Sequence, residues 1–271
     1  MLEATAAEAF GAGELAVAAL PGTEMGLRLL ELAGLPQPFR YLAPGYRTHA
    51  DALPSAAAIH ADAAEDVRDG TLLLANPNNP DGRVFAPDRL LGLGRRLAQR
   101  GGMLVIDEAF ADATPRLSIL PHLRREDRVL VFRSFGKFFG LAGVRLGFAC
   151  GAADIVAALR KRLGSWPVSA TAIAIGTAAY RDTAWTTRTR LALAERCAAL
   201  DALLRRHALE PRGASPLFRL VETPQARAIF TYLAQRGILT RPFDYAPEWL
   251  RIGVPADTGA LQRLDQALSD R

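Results

Sequence analysis

Residues 129–150, VLVFRSFGKFFGLAGVRLGFAC, constrain the fold more than any other stretch of the chain. The apolar run 129–132 has the length and branching of a buried strand, and 146–150 is a second such run. Between them lies a turn punctuated by Gly136, Gly140 and Gly143, which let the backbone close tightly and approach another group. The turn holds one lysine, Lys137, with Ser134 three residues before it and Arg145 eight after. A lysine between buried strands and flanked by aromatics is expected to be desolvated. A desolvated amine can form a Schiff base with a carbonyl.

The rest of the chain supplies strands to set beside these two. Thr71–Ala75 and 103–106 are apolar runs with a helical pattern at 86–100 between them, closed by Gly101-Gly102. This strand–helix alternation indicates an α/β chain with a parallel sheet and right-handed crossovers. Upstream, residues 1–20 read as an alanine-rich helix running into the apolar stretch 14–20. A helix is expected at 25–34 and a strand at 39–42, and 50–70 carries no readable chemistry. Downstream, helices are expected at Ala153–Leu163, 170–180 and 183–207. The last leads into a smaller α/β unit: strand 217–221, helix 226–236, strand 237–240, a strand at 249–254 and helix 259–268. With 271 residues, half of them hydrophobic, two domains are expected, at 1–182 and 183–271.

Several polar residues fall where this pattern places strand ends. Gly22-Thr23-Glu24 opens a helix and presents free N–H groups to an anion, though it lacks the Gly-Lys-Ser/Thr of a Walker loop. Tyr46 follows Pro44-Gly45 after the 39–42 strand. The dense turn Asn76-Pro77-Asn78-Asn79-Pro80-Asp81-Gly82 follows Thr71–Ala75, at the kind of strand end where open α/β sheets bind ligands. Asp107 stands at the tip of its strand among apolar residues and needs a partner there. Arg251 alternates with Leu250 and Ile252, so it points to the opposite face of its strand.

Composition narrows the function classes. Cys150 and Cys197 make no disulfide framework; they suit a reducing cytoplasm or are simply core residues. There is no apolar run of the length that crosses a membrane. The N-terminus has Glu3 and Glu8 and no basic segment, unlike a signal peptide. The net charge of +5 is spread over helical segments without a basic cluster interleaved with aromatics. That argues against nucleic acid as a partner, while leaving local positive charge to attract phosphorylated substrates. No metal is expected.

Ser134-x-x-Lys137 followed by Gly140-Leu141-Ala142-Gly143-Val144-Arg145-Leu146-Gly147 resembles the cofactor-lysine segment of fold-type I pyridoxal-phosphate (PLP) enzymes, the class I/II aminotransferase family. The order Gly22, Tyr46, Asn79, Asp107, Ser134, Lys137, Arg145, Arg251 is also that family's. The resemblance implies an aspartate aminotransferase-like fold with a mostly parallel central sheet and a smaller C-terminal α/β domain. It also implies a site between the domains, near the interface of a homodimer. By the same resemblance, Lys137 bonds to the cofactor, while Ser134, Arg145 and Gly22-Thr23-Glu24 hold its phosphate. Tyr46 stacks on the pyridine ring, Asn79 bonds the phenolic oxygen, Asp107 pairs with the ring nitrogen, and Arg251 grips the substrate carboxylate.

Three positions depart from the pattern. Phe110 stands where the family often has tyrosine, Asp81 where many members have threonine, and the N-terminal arm that usually precedes Pro21 is expected to be missing. PNNPDGR at 77–83, DEAF at 107–110 and GSWPVS at 164–169 are similar to the cobalamin-pathway threonine-phosphate decarboxylase branch. The reaction implied is cytoplasmic decarboxylation of L-threonine O-3-phosphate, a small phosphorylated amino acid, to (R)-1-amino-2-propanol O-2-phosphate. A histidinol-phosphate-like aminotransferase is the alternative. A truncated, inactive PLP-binding or accessory protein is the alternative of another class.

Overall fold

The apolar runs line up side by side. A computed structural model describes residues 1–271, which divide into two compact units: Met1–Asn79 with Val84–Thr183, and Pro80–Arg83 with Ala184–Arg271. In chain order the first unit contains α1 (Leu2–Phe10), β1 (Ala16–Leu20), α2 (Thr23–Arg28), β2 (Phe39–Ala43), α3 (Arg47–Ala52) and β3 (Ala57–His60). There follow β4 (Thr71–Ala75), α4 (Pro87–Ala98), β5 (Met103–Asp107), β6 (Val129–Ser134), α5 (Phe135–Phe138), β7 (Gly147–Gly151), α6 (Ala153–Leu163) and α7 (Ala170–Arg181).

The strands form one seven-stranded sheet in the order β1-β7-β6-β5-β4-β2-β3. β2 to β6 pair in parallel; β7 is antiparallel to both of its neighbours, so β1 runs with the majority. β4, β5, β6 and β7 are buried at every residue, as expected of central strands covered on both faces. Alternate residues divide between two cores. Leu72, Leu74, Leu104, Ile106, Val129 and Val131 meet Phe10 of α1, Leu90 and Leu97 of α4 and Tyr180 of α7. Leu73, Met103, Val105, Leu130 and Phe132 meet Leu27 of α2 and Ile155, Val156 and Leu159 of α6. Each large apolar side chain buried in these layers contributes about 1.5–3 kcal/mol before entropy is charged against it.

The second unit contains α8 (Thr183–Arg206), β8 (Pro211–Arg212), β9 (Phe218–Glu222), α9 (Ala226–Gln235), β10 (Arg241–Phe243), β11 (Ala246–Gly253) and α10 (Thr258–Ser269). Its antiparallel sheet, β10-β11-β9-β8, packs Val221, Leu250 and Ile252 against Leu200, Leu203 and Leu204 of α8, Ile229 and Leu233 of α9, and Leu264 of α10. The segment Pro80–Arg83 joins this unit through a hydrogen bond from Ala214 N to Gly82 O, 2.8 Å.

Two expected elements take other forms. The helix expected at 25–34 is the short α2 followed by a 3₁₀ turn, Glu31–Ala33. Bonds from Leu30 N to Leu27 O and from Ala33 N to Leu30 O tighten the chain there. Three-residue spacing then stacks Leu27 and Leu30, both fully buried, on one side. The strand expected at 237–240 is not a strand. Gly237 has φ +68°, and Ile238 N donates to Leu233 O, so these residues close the end of α9 and leave Leu239 exposed. The strand begins only at Arg241.

Candidate active site

In the first unit, strand direction collects the polar residues on one edge of the sheet. β1, β2, β4, β5 and β6 all end there, and β7 begins there. Their continuations carry Gly22 and Thr23, Tyr46, Asn79, Asp107, Ser134 with Lys137, and Arg145 respectively.

Asp107 is the last residue of β5 and is 4 % exposed. One carboxylate oxygen, Oδ1, accepts from Ala109 N at 3.1 Å. The other, Oδ2, lies 3.3 Å from Nε2 of His49, a fully buried residue of α3. A carboxylate only accepts, so His49 carries its hydrogen on Nε2. Its Nδ1 is buried with no hydrogen-bond partner. Tyr46, the residue preceding α3, sets its half-buried ring edge-on to His49, with centroids 5.8 Å apart.

Asn76 shapes the turn after β4. Its side chain accepts from Phe85 N at 2.9 Å and donates to Phe85 O and Leu117 O at 3.1 and 3.3 Å. Asn78 Nδ2 donates to Pro44 O at 3.0 Å, joining this turn to the loop that carries Tyr46. Asn79 is half-buried in the same turn.

A cradle forms where α2 begins. Ser134 pairs across the sheet with Gly147, and a Cβ on Gly147 would come 2.7 Å from Thr23 N, so the first turn of α2 lies directly beside the end of β6. Gly22 has φ +89°, and a Cβ there would lie 2.6 Å from Nη2 of Arg145. The Arg145 guanidinium therefore covers the Gly22 backbone, and its Nη1 donates to Ala142 O at 3.3 Å. Thr23 N, the Ser134 hydroxyl and the Arg145 guanidinium gather donors and positive charge on a patch of bare backbone, which is chemistry suited to a phosphate. Glu24 faces elsewhere: its carboxylate accepts from Arg28. Gly22→Ala is expected to keep the fold, displace Arg145, and weaken PLP binding by about tenfold, since both backbone strain and a clash oppose the cradle. A fluorescence titration with PLP measures this.

Lys137 lies on α5 and is exposed, so the desolvation expected from its apolar neighbours does not occur. Phe135 and Phe138 turn into the core and leave Lys137 on the outer side. Phe110 is half-buried at the start of the turn after β5.

Arg251 belongs to the second unit, where Leu250 and Ile252 on either side of it are buried. Its guanidinium lies 5.0 Å from the Phe218 ring. Directly opposite in the antiparallel register stands Arg241, which sequence reasoning missed. Burial, and then the like charge of Arg241, push the Arg251 guanidinium below its ordinary pKa. Two like charges face to face across strands oppose folding and favour an anion between them. The signal was an arginine opening the strand that precedes the one carrying Arg251. Assigning that strand to 237–240 hid it. His49, Asn76 and Arg133 were missed as well.

Comparison with known proteins bears on this arrangement. The model of the family "Aminotransferase class I and II" matches residues 6–268. The chain belongs to that family. It is 42 % identical over 274 residues to a threonine-phosphate decarboxylase of Pseudomonas aeruginosa, covering 98 % of this chain and 81 % of the relative. It is 31 % identical over 205 residues to a histidinol-phosphate aminotransferase of Chromohalobacter salexigens, covering 70 % of this chain and 56 % of that one. Among solved structures, the histidinol-phosphate aminotransferase of Sinorhizobium meliloti in complex with pyridoxal-5'-phosphate superimposes with a TM-score of 0.83 at 22 % identity. That match covers 99 % of this chain and 80 % of the other.

Proposed function

We propose that this family member is a PLP-dependent lyase. It removes CO2 from L-threonine O-3-phosphate to give (R)-1-amino-2-propanol O-2-phosphate for cobalamin biosynthesis, acting as a cytoplasmic homodimer. The observation that carries the reading is the 42 % identity to the Pseudomonas aeruginosa decarboxylase across 98 % of the chain. The aminotransferase relative reaches 31 % across 70 %. The facing Arg241 and Arg251 suit a substrate with two anionic groups, as L-threonine O-3-phosphate has.

The residues divide the work by chemistry. Thr23 N, Ser134 and Arg145 would hold the cofactor phosphate, with Gly22 leaving room for it. Tyr46 would stack on the ring, and Asn79 would donate to its phenolic oxygen. Asp107, oriented by His49 and Ala109 N, would face the ring nitrogen and favour its protonated form. When bound, PLP supplies an electron sink for the bond broken at the substrate Cα. Arg251 grips the substrate carboxylate as a bidentate pair, and Arg241 adds charge for a second anionic group. Lys137 would hold the cofactor through its amine and would supply a proton at the substrate Cα. The pose set by the arginines decides whether a carboxylate or an α-hydrogen leaves.

The test is CO2 release from L-threonine O-3-phosphate by the PLP-loaded protein. Release is expected, and Arg251→Ala is expected to raise KM about 50-fold or more, as loss of a charged, hydrogen-bonded pair does. Amino transfer from histidinol phosphate or glutamate to a keto acid, without CO2, would replace this reading with the aminotransferase one.

A further inference from the structure

Beneath the site edge a buried polar row crosses three strands. In the parallel register, Ala75 lies opposite Asp107, and Asp107 opposite Phe132. One residue further along, Asn76, Glu108 and Arg133 share a row on the opposite sheet face from Asp107. Each adjoins a residue of the proposed site or its loop: Asn76 opens the turn to Asn79, Glu108 follows Asp107, and Arg133 precedes Ser134.

The row is continuous. Asn76 binds Leu117 O. Ser118, the next residue, donates to Glu108 Oε2 at 2.6 Å, and Ile119 N donates to Glu108 Oε1 at 2.8 Å. Arg133 Nη1 donates to Glu108 Oε2 and to Ser118 Oγ at 3.3 and 3.2 Å, and Nη2 donates to Asp112 Oδ1. Tyr180 of α7 donates to Asp112 Oδ2 at 3.2 Å, and the Phe10 ring of α1 lies 4.4 Å from the guanidinium. Arg133 is 2 % exposed and Glu108 fully buried. Burial works against the Arg133 charge, but Asp112 and Glu108 outweigh it and hold the guanidinium protonated. Burial also pushes the Glu108 carboxyl above its ordinary range, against the pull of Arg133 and the Ser118 and Ile119 bonds. None of these groups faces the proposed chemistry, and an apolar row would fill the space without desolvating charges.

We propose that Arg133 is a positioning residue: through Glu108 and Asp112 it ties the end of β6 to the end of β5, fixing Ser134 and Lys137 relative to Asp107. A tie of this kind is directional, which hydrophobic packing is not. The inference rests on PLP binding, not on which substrate is used.

The test compares Arg133→Met, Arg133→Lys and Glu108→Gln with the unaltered protein. Glu108→Gln keeps the Ile119 bond and the shape but removes one charge, and it decides the matter should the arginine variants not fold. Amide exchange in the apo protein is expected to rise about tenfold at 107–109 and 134–137 while the middles of β4 and β5 stay protected. In the PLP-loaded protein the pH midpoint of the visible band is expected to move by about half a unit. With any substrate that turns over, kcat is expected to fall about 10- to 100-fold at unchanged KM. Arg133→Lys should recover part of each effect. A lower melting temperature with unaltered exchange at those residues, midpoint and kcat would overturn the proposal and leave the row a structural feature only. Absence of a visible band in the unaltered protein would count against PLP binding itself, and amide exchange would still decide the tie.

Discussion

Lys137→Ala is expected to abolish turnover, with kcat falling about 10³-fold or more, while the protein melts as before. Two losses combine. In the proposed roles, the amine that would bond the cofactor is gone, and so is the group that would move a proton at Cα, which alone accounts for about 10²- to 10⁴-fold. The fold has little at stake, because Lys137 is exposed on the outer side of α5 and alanine is the better helix former. The cradle of Thr23, Ser134 and Arg145 remains, so PLP should still bind, but by hydrogen bonds and charge alone. It should then be lost on gel filtration, which a covalently held cofactor survives. Thermal melts, absorbance after gel filtration and single-turnover assays together check the prediction. Retention of a gel-filtration-stable cofactor with turnover near that of the unaltered protein would remove Lys137 from the mechanism.

What could be read from the sequence follows from how far each interaction reaches along the chain. Thr71–Ala75 was legible because a strand covered on both faces must be apolar throughout. The site edge was legible because parallel strands end together, so turn residues after each run share one side. The exposure of Lys137 was not. A count of aromatic neighbours ignores that Phe135 and Phe138, three apart on a helical turn, point inward together and push Lys137 out. His49 and Asp107 are 58 residues apart, and no local pattern announces that a histidine on α3 will sit under the end of β5. The Arg133 row joins Asn76, Glu108, Asp112, Ser118 and Tyr180 from four separate segments, Glu108 and Asp112 sharing the turn after β5, and each alone reads as an ordinary polar residue. Arg241 escaped because Gly237 served α9 as a cap and moved the strand downstream.

Asp107→Asn tests the electrostatic centre of the reading, and its surroundings make the outcome specific. The substitution keeps size and shape in a site that is 4 % exposed, so packing is preserved. Its new amide group must face either Ala109 N or His49 Nε2, since each carboxylate oxygen already accepts from one of them. Both are donors. If the amide oxygen keeps the Ala109 bond, His49 must move its hydrogen from Nε2 to Nδ1 to accept from the new NH2. Nδ1 is buried with no partner, so the rearranged histidine would hold an unsatisfied donor. On the cofactor side, the proposed pairing with the ring nitrogen loses the negative charge that would keep it protonated. Removing one partner of a buried charged pair costs about 3–5 kcal/mol. Felt in the transition state, that is two to four decades in kcat. The expected result is kcat reduced about 10³-fold at nearly unchanged KM, because in the proposed site the substrate anions answer to Arg241 and Arg251 instead. Added N-methylated PLP, whose ring nitrogen is permanently positive, should restore part of the lost rate in Asp107→Asn and none in Lys137→Ala. A kcat within tenfold of the unaltered protein, or no difference between the two cofactors, would show that Asp107 serves the fold of the β5 end and not the ring.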